Sequence, residues 1–139
     1  KFFFYYMFNK PKFFFNKILP NFFFKKINTK IQYSYILNKG LVHPHIDGAK
    51  KLISLMLYFP QLQNKEEEIG TSFWKCKHNF NSARVNVDEF KSYQKIQLPF
   101  KKKTLYGFIR SPFSWHAVEK LDIEEKYIRR SININFNIN

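Results

Sequence analysis

The sequence has one cysteine, few acidic residues and no long apolar run, and each shortage excludes a class of protein. Cys76 stands alone, so the chain has no pair for an internal disulfide or for a cysteine-based zinc site, which fits a reducing compartment. No apolar stretch reaches the roughly 18 uninterrupted residues of a membrane helix. Lysines interrupt the aromatic N-terminal stretch every few residues, so no secretory signal is visible. We therefore expect no membrane span and a cytoplasmic protein.

Acidic residues are scarce, with 10 Asp and Glu against 24 Lys and Arg and a formal net charge of +14. One interpretation is attraction to an anionic partner such as nucleic acid. The other is codon usage, because Lys, Asn, Ile, Phe and Tyr have AT-rich codons and all five are abundant. We favour the second interpretation, since no basic binding motif accompanies the charge.

A chain of 139 residues has room for one domain. It begins at Lys1 rather than methionine, as a fragment of a longer protein would. Residues 1–30 are rich in Phe and Lys, repeat FFF three times and contain no acid, and they stay unassigned between strand and helix. Residues 31–139 are the predicted domain.

From Ile31 onward, alternating or apolar runs separated by turn residues predict short β-strands. A short helix is predicted around residues 87–93, inside a surface excursion that covers 77–95. Many short strands with little helix predict a mainly β sandwich or barrel. The predicted strands are IQYSYIL, LVHPHID, KKLISLMLYF, GTSFWKC, TLYGFIR, SWHAVEK and EKYIRRSININF. KKLISLMLYF is assigned by its apolar density, and its length leaves a helix as the alternative.

Two histidines and an aspartate stand at alternate positions before an apolar run, as His43, His45 and Asp47. In a strand, His45 and Asp47 share one face, so their side chains can take adjacent positions on one metal ion. His116 in SWHAV is the best third ligand, and two histidines with one carboxylate leave open positions on Fe(II). The plainer alternative is that both histidines are satisfied near a β-core while Asp47 caps the turn at Gly48.

The last predicted strand adds a candidate anion site. Arg129, Ser131 and Asn133 in RRSININF share one face of that strand. A buried arginine beside a metal site can bind a carboxylate bidentately, and a serine hydroxyl can add a further hydrogen bond. The alternative is that Arg129 and Arg130 form a solvated charged pair at the start of a strand.

In order and spacing, these blocks resemble the 2-oxoglutarate/Fe(II)-dependent oxygenases, in their prolyl-hydroxylase-like branch. The resemblance covers about residues 31–137. It implies a double-stranded β-helix, a jelly-roll or cupin-like barrel with few helices, in a member truncated at its N-terminus. The blocks that carry it are YSYILNKGLVHPHID, KKLISLMLYFP followed by GTSFW, TLYGFIRSPFSWHAVEKL and RRSININF.

The resemblance also implies which residues hold the cofactors. The Fe(II) ligands would be His45, Asp47 and His116. The 2-oxoglutarate carboxylate that lies away from the metal would be bound by Arg129 and Ser131.

Two alternatives stay open in the co-substrate site. Arg130 replaces Arg129 as the anchor if the strand register slips by one residue, although it would then face the other way. Tyr33 or Tyr35, on the strand before the metal motif, would contribute a hydroxyl to the co-substrate, and the sequence does not choose between them.

The implied activity is that of an oxidoreductase. The chain would be a dioxygenase that uses O₂ and 2-oxoglutarate, releases succinate and CO₂, and hydroxylates a small-molecule, amino-acid or sugar substrate that the sequence does not identify. Ascorbate is a further candidate cofactor. One alternative is a cupin-like metal enzyme without 2-oxoglutarate, which would not require Arg129. Another is a basic, aromatic nucleic-acid-binding module, which the FFF clusters disfavour because they suit burial better than an exposed stacking platform.

Overall fold

A computed structural model of the chain describes residues 2–5, 26–61, 68–76, 85–123 and 126–138. Three sequence-based expectations fall wholly or partly outside these residues. They concern most of the Phe- and Lys-rich segment and the part of the surface excursion at 77–84. The third is the stretch PQLQNKEEEIG, which its polar composition predicts to be a loop and of which residues 62–67 lie outside the described part.

The described part of the chain is mainly β and forms two sheets. One sheet has five strands in the order β1-β7-β4-β9-β2, and the other has four in the order β3-β8-β5-β6. Pairing is antiparallel except between β1 and β7. This confirms the predicted mainly β fold of the jelly-roll type. The strands are β1 (Phe2–Tyr5), β2 (Ile27–Leu37), β3 (Val42–His45), β4 (Lys51–Tyr58), β5 (Ser72–Trp74), β6 (Lys95–Gln97), β7 (Leu105–Ile109), β8 (His116–Val118) and β9 (Ile128–Ile138).

The predicted strands are all present, with ends that differ by a few residues. β2 begins at Ile27, inside the segment that the sequence left unassigned. The expected helix is a 3-10 helix at Val87–Phe90, with Asn86 as its N-cap. Sequence patterns did not indicate β6, because three residues are too few to show a period of two.

The main hydrophobic core lies between the two sheets. Phe73 of β5 meets Phe108 of β7 edge-on, with ring centroids 5.2 Å apart. Tyr58 of β4 packs against Phe100, with ring centroids 4.6 Å apart. These contacts hold the inner faces of the sheets together around a cavity. The buried cluster is completed by Ile36, Met56, Ile69, Leu98, Tyr106, Val118, Leu121 and Tyr127.

A second buried cluster lies outside the main core and supports the strand that carries His116. Trp115 packs against Phe90 of the 3-10 helix, which in turn packs against Trp74 of β5. Cys76 is buried in the same cluster. The segment before β8 is therefore anchored by aromatic packing, which fixes the position of His116.

Candidate metal centre

A β-bulge brings the two candidate histidine ligands directly opposite each other. In the antiparallel pair of β3 and β8, Val42 lies opposite Val118 and His45 lies opposite His116, so β3 carries one extra residue between the two pairings. In an uninterrupted register, His45 would lie opposite Trp115. Partners in an antiparallel pair point to the same face, so the bulge aims both imidazoles into the space between the sheets.

Asp47 completes a cluster of three potential metal ligands, as the sequence predicted from His45 and His116. The ligand atoms of the three residues lie within 4.8 Å of one another. Each carboxylate oxygen faces a different imidazole: His45 Nε2 lies 3.9 Å from Oδ1, and His116 Nε2 lies 4.0 Å from Oδ2. The cluster is compact enough for one ion to reach all three side chains after small rotations.

The backbone sets the same tautomer on both imidazoles. His45 Nδ1 lies 2.8 Å from the carbonyl oxygen of His43, and His116 Nδ1 lies 2.9 Å from that of Ser114. A carbonyl oxygen only accepts, so Nδ1 is the proton-bearing nitrogen of each ring, and Nε2 is the nitrogen whose lone pair is available when the ring is neutral. Both histidines therefore present Nε2 as a ligand atom. His43 contributes its carbonyl group to this arrangement.

His116 is held as a neutral imidazole at physiological pH. Burial and the neighbouring His45 lower the pKa of His116 to about 4, and Asp47 only partly opposes this shift. The His116 ring packs against the rings of Phe73 and Phe108, at centroid distances of 5.7 Å and 4.6 Å. A neutral, immobilised imidazole is the form that binds a metal ion.

The Asp47 carboxylate is ionised and held from two sides. Lys51 Nζ lies 2.6 Å from Oδ1, and the Ser54 hydroxyl lies 3.0 Å from Oδ2. Burial favours the neutral carboxyl, but His116, the Lys51 ammonium and the Ser54 hydroxyl together hold the pKa of Asp47 below its usual value. Arg110 fixes the backbone at the same place, because its Nε donates to the Asp47 carbonyl oxygen at 3.1 Å.

The three residues open onto a cavity of about 160 Å³ between the sheets. The inner faces of β2, β4 and β9 form one wall, and β3, β8 and the residues before β5 form the other. The lining residues are Gln32, Ser34, Ile36, Val42, His45, Asp47, Lys51, Ser54, Met56, Tyr58, Thr71, Phe108, His116, Ala117, Val118, Arg129, Ser131, Asn133 and Asn135.

Arg129 lies in this cavity, whereas Arg130 faces away from it. Arg129 is 2% exposed, and its Nε donates to the carbonyl oxygen of Ile69 at 2.8 Å. Its guanidinium carbon lies 5.1 Å from the centroid of the Tyr58 ring and 4.7 Å from that of Phe100. Arg130 is exposed. Of the two arginines named from the sequence, Arg129 is the one that can reach a molecule bound between the sheets.

Ser131 lies in the cavity, whereas the two tyrosines of β2 lie outside it. Ser131 is buried and lines the cavity, two residues along β9 from Arg129. Tyr33 and Tyr35 are 69% and 65% exposed and lie outside the cavity, so the expectation that one of them contacts the co-substrate there is wrong. The reason is the face of β2: the even-numbered residues of this stretch, Gln32 and Ser34 among them, point inward.

Sequence reasoning missed Ser54 and Lys51, which hold Asp47. Ser54 had a readable signal, since it is polar and shares the buried face of β4 with Met56 and Tyr58. Lys51 had none. The β4–β9 register shifts between Lys51 and Ile53, and this irregularity breaks the alternation that would place Lys51 on the opposite face.

The geometry agrees with what is known of other proteins at the level of the fold. No family model matches the sequence, and no curated protein matches it. Among solved structures, the chain is similar to a prolyl-4-hydroxylase from Pseudomonas putida, with 13% sequence identity and a TM-score of 0.52. The match covers 81% of this chain and 54% of that one, so this chain spans about half the length of its structural neighbour.

Among the described residues, no helix is long and apolar enough to cross a membrane.

The donor set fits a first-row divalent metal such as Fe(II). Two neutral imidazoles and one carboxylate on one side of an ion leave positions for further ligands. The imidazole protons are already directed to backbone carbonyls, which is the outer arrangement that metal-binding histidines use. The residues that would hold the ion are His45, Asp47 and His116.

Proposed function

We propose that this chain is the metal-binding domain of an Fe(II)- and 2-oxoglutarate-dependent dioxygenase. The observation that carries the proposal is Arg129. Its guanidinium is buried in the same cavity as the three candidate metal ligands, and it forms no ion pair with any carboxylate of the described residues.

A buried, unpaired guanidinium is expensive, and this cost needs a compensating interaction. Removing an ion from water costs several kcal/mol even after the protein relaxes (on the order of 20 kcal/mol in the idealised limit). Burial accordingly lowers the pKa of Arg129 from its ordinary value. The Ile69 carbonyl and the faces of Tyr58 and Phe100 offset part of the cost, but they supply no negative charge. A carboxylate bound in the cavity would supply it.

The position of Arg129 relative to the metal ligands favours a diacid. A 2-oxo diacid would place its 2-oxo acid end at the metal held by these ligands, and its other carboxylate would remain free for Arg129 to bind bidentately. Ser131 lies on the same face of β9 and can donate to that carboxylate. A metal enzyme without an acidic co-substrate would have no use for an arginine buried at this place.

Each group has a role in the proposed reaction. When bound, Fe(II) and 2-oxoglutarate would supply the oxidative chemistry: O₂ would be consumed, succinate and CO₂ released and the substrate hydroxylated. Asp47, His45 and His116 hold the metal, and Arg129 orients the co-substrate. The Phe108 ring beside His116 is an apolar wall that excludes water. The structural neighbour is a prolyl-4-hydroxylase, so hydroxylation of an amino-acid, sugar or other small-molecule substrate is the reaction proposed here.

Turnover of the co-substrate without a substrate tests the proposal. If the cavity binds both the metal and the co-substrate, purified protein with Fe(II), 2-oxoglutarate and O₂ should form succinate even without an added substrate. Formation should be lost in His116→Ala and in Arg129→Met, and retained in the matched control Arg130→Met. Iron binding without succinate formation would instead favour a cupin-like metal enzyme, and equal activity of the two arginine variants would contradict the role of Arg129.

A further inference from the structure

The metal-ligating carboxylate already carries a cation that belongs to the protein. Lys51 Nζ lies 2.6 Å from Asp47 Oδ1, closer than any other side-chain contact of that carboxylate. Oδ1 is also the oxygen that faces His45 Nε2, at 3.9 Å. The ammonium therefore occupies one of the two carboxylate oxygens that face the candidate histidine ligands.

The backbone holds Lys51 in this position. Its N–H donates to the Gly48 carbonyl oxygen at 3.0 Å, which closes a turn between Asp47 and β4. The register shift at the start of β4 then turns the Lys51 side chain toward the cavity that it lines. The contact with Asp47 is thus built into the turn that follows the metal motif.

The ion pair is partly shielded from water. The side chains of Lys51 and Asp47 are 24% and 7% exposed. Exposed pairs contribute little because water and salt screen them, whereas a pair at this depth interacts more strongly. Breaking this pair to let another cation bind Asp47 therefore has an appreciable cost.

We propose that Lys51 is an internal competitor of the metal, so that its ammonium neutralises Asp47 in the metal-free protein and a divalent ion must displace it. The inference rests on the proposed function only in using its three metal ligands. Lys51 would keep the metal-free cavity folded and would weaken metal binding, so the metal would be exchangeable rather than permanent.

Two observations favour competition over a role in orienting Asp47. Other groups already orient the residue, because Ser54 donates to Oδ2 and Arg110 holds the backbone carbonyl. The positive charge of Lys51 also favours competition. An ammonium at 2.6 Å from Oδ1 repels a divalent ion that approaches the same carboxylate, and like charges at a few ångströms interact strongly inside a protein.

The proposal predicts that removing the Lys51 ammonium lowers the stability of the metal-free protein and raises its affinity for the metal. Removing the ammonium leaves Asp47 buried without its neutralising partner, so the metal-free protein loses stability. The same removal abolishes the cost of displacement, so metal affinity rises. If metal binding breaks the pair completely, the loss and the gain are equal in free energy, since they are two sides of one thermodynamic cycle.

The test measures Mn(II) affinity and metal-free stability in matched variants. Mn(II), added alone, reports binding without oxygen chemistry. Lys51→Met should bind Mn(II) about tenfold more tightly than the parent chain, the scale of a 1.4 kcal/mol pair, and should unfold at lower denaturant without metal. Lys51→Arg keeps the charge and should stay near the parent affinity. Lys50→Met, at the exposed neighbouring lysine, is the control and should change neither property.

A second readout follows the lysine itself in the parent chain and needs no variant that folds. Reaction of Lys51 with an amine-acylating reagent, read by mass spectrometry, should speed up when Mn(II) is added. The exposed Lys50 gives the reference rate in the same sample. If Lys51→Met does not fold, Lys51→Gln and this labelling experiment decide the question.

The outcomes separate this proposal from the proposed function. Weaker or unchanged Mn(II) binding in Lys51→Met, with binding intact in the parent, overturns the competition and leaves the dioxygenase proposal standing. Unchanged acylation of Lys51 on metal addition overturns it as well. No Mn(II) binding in any variant overturns both.

Discussion

Arg129 and Arg130 are chemically identical neighbours, and the strand places them in opposite surroundings. Arg129 is buried against Ile69, Tyr58 and Phe100, whereas Arg130 is exposed. The two arginines are therefore a matched pair for mutation. Substitution of Arg129 tests the role of the cavity, and substitution of Arg130 controls for the loss of one positive charge.

Replacing Arg129 should separate co-substrate binding from metal binding. Arg129→Met removes the guanidinium group that would bind a carboxylate, and it retains an unbranched side chain. We expect 2-oxoglutarate affinity to fall by roughly 30- to 4,000-fold, the equivalent of about 2–5 kcal/mol for a buried charged contact. Mn(II) affinity should stay within a few-fold. Calorimetric titrations with each ligand measure both, and an equal loss for Arg130→Met would contradict the assignment.

Ser54 should matter through the carboxylate that it holds. Ser54→Ala removes the hydrogen bond to Asp47 Oδ2, and the loss of a group that orients a metal ligand typically weakens metal binding about 10- to 100-fold. The pKa of Asp47 should rise as well, because the hydroxyl helps to keep it low. Mn(II) titration checks the first effect, and Ser92→Ala, at an exposed serine, is the control. Parental affinity in Ser54→Ala would show that Ser54 does not orient the ligand.

Seven of the nine strands could be predicted from the sequence, but β1, β6 and two local irregularities could not. Period-two alternation identified β2 and β9, and apolar density identified β4. The alternation also placed Arg129 and Ser131 on one face of β9. The bulge in β3 and the register shift in β4 have no signature in a single sequence, because each depends on how the strand meets its partner. These irregularities set His45 against His116 and Lys51 against Asp47.

The expectation that a tyrosine of β2 lines the cavity was wrong for a related reason. Tyr33 and Tyr35 are candidates because the resemblance implies a hydroxyl from this strand, and the sequence does not show which face of β2 turns inward. A cavity needs small or polar walls, and Gln32 and Ser34 supply them. Composition alone does not distinguish a strand that lines a polar cavity from one that covers an apolar core.

The close packing of Gly70, in the loop before β5, can be tested by substitution. A Cβ added at Gly70 would lie 1.4 Å from the Leu98 carbonyl oxygen, so Gly70→Ala must push the backbone apart. We expect a loss of about 1–3 kcal/mol in the free energy of unfolding, and weaker 2-oxoglutarate binding because the adjacent Ile69 carbonyl holds Arg129.

Gly48 provides the control for this experiment. A Cβ there would meet nothing within 4 Å, although the residue directly follows Asp47. Gly48→Ala should therefore unfold at the same denaturant concentration as the parent chain. If both substitutions destabilise the protein equally, the close approach of Gly70 to Leu98 is not the cause of the effect at Gly70.

The complete site depends on the closure of two sheets, which no single segment encodes. His45 and His116 come from the smaller sheet, and Arg129 and Ser54 come from the larger one. The cavity itself arises from packing between distant residues such as Phe73 and Phe108, and sequence patterns carry no such distances.

The larger sheet also exposes an apolar surface along β2. Among the described strands, β2 pairs only with β9, and the side chains of Ile31, Tyr33, Tyr35 and Leu37 are 58–69% exposed. A long, apolar edge strand favours association. The variant Ile31→Thr/Tyr33→Thr/Leu37→Lys should therefore self-associate less than the parent in sedimentation velocity, with unchanged Mn(II) affinity. Unchanged association would exclude β2 as the surface responsible.

The central claim is that one cavity holds both a metal and a 2-oxo diacid, and an anaerobic absorption spectrum tests it most directly. Fe(II) and 2-oxoglutarate added to the protein without oxygen should produce a visible charge-transfer band, which arises only when the keto acid chelates the iron. The band should be absent in His116→Ala. In Arg129→Met it should require far more 2-oxoglutarate, whereas Arg130→Met should match the parent. Folded protein that binds Fe(II) and shows no band would contradict the claim.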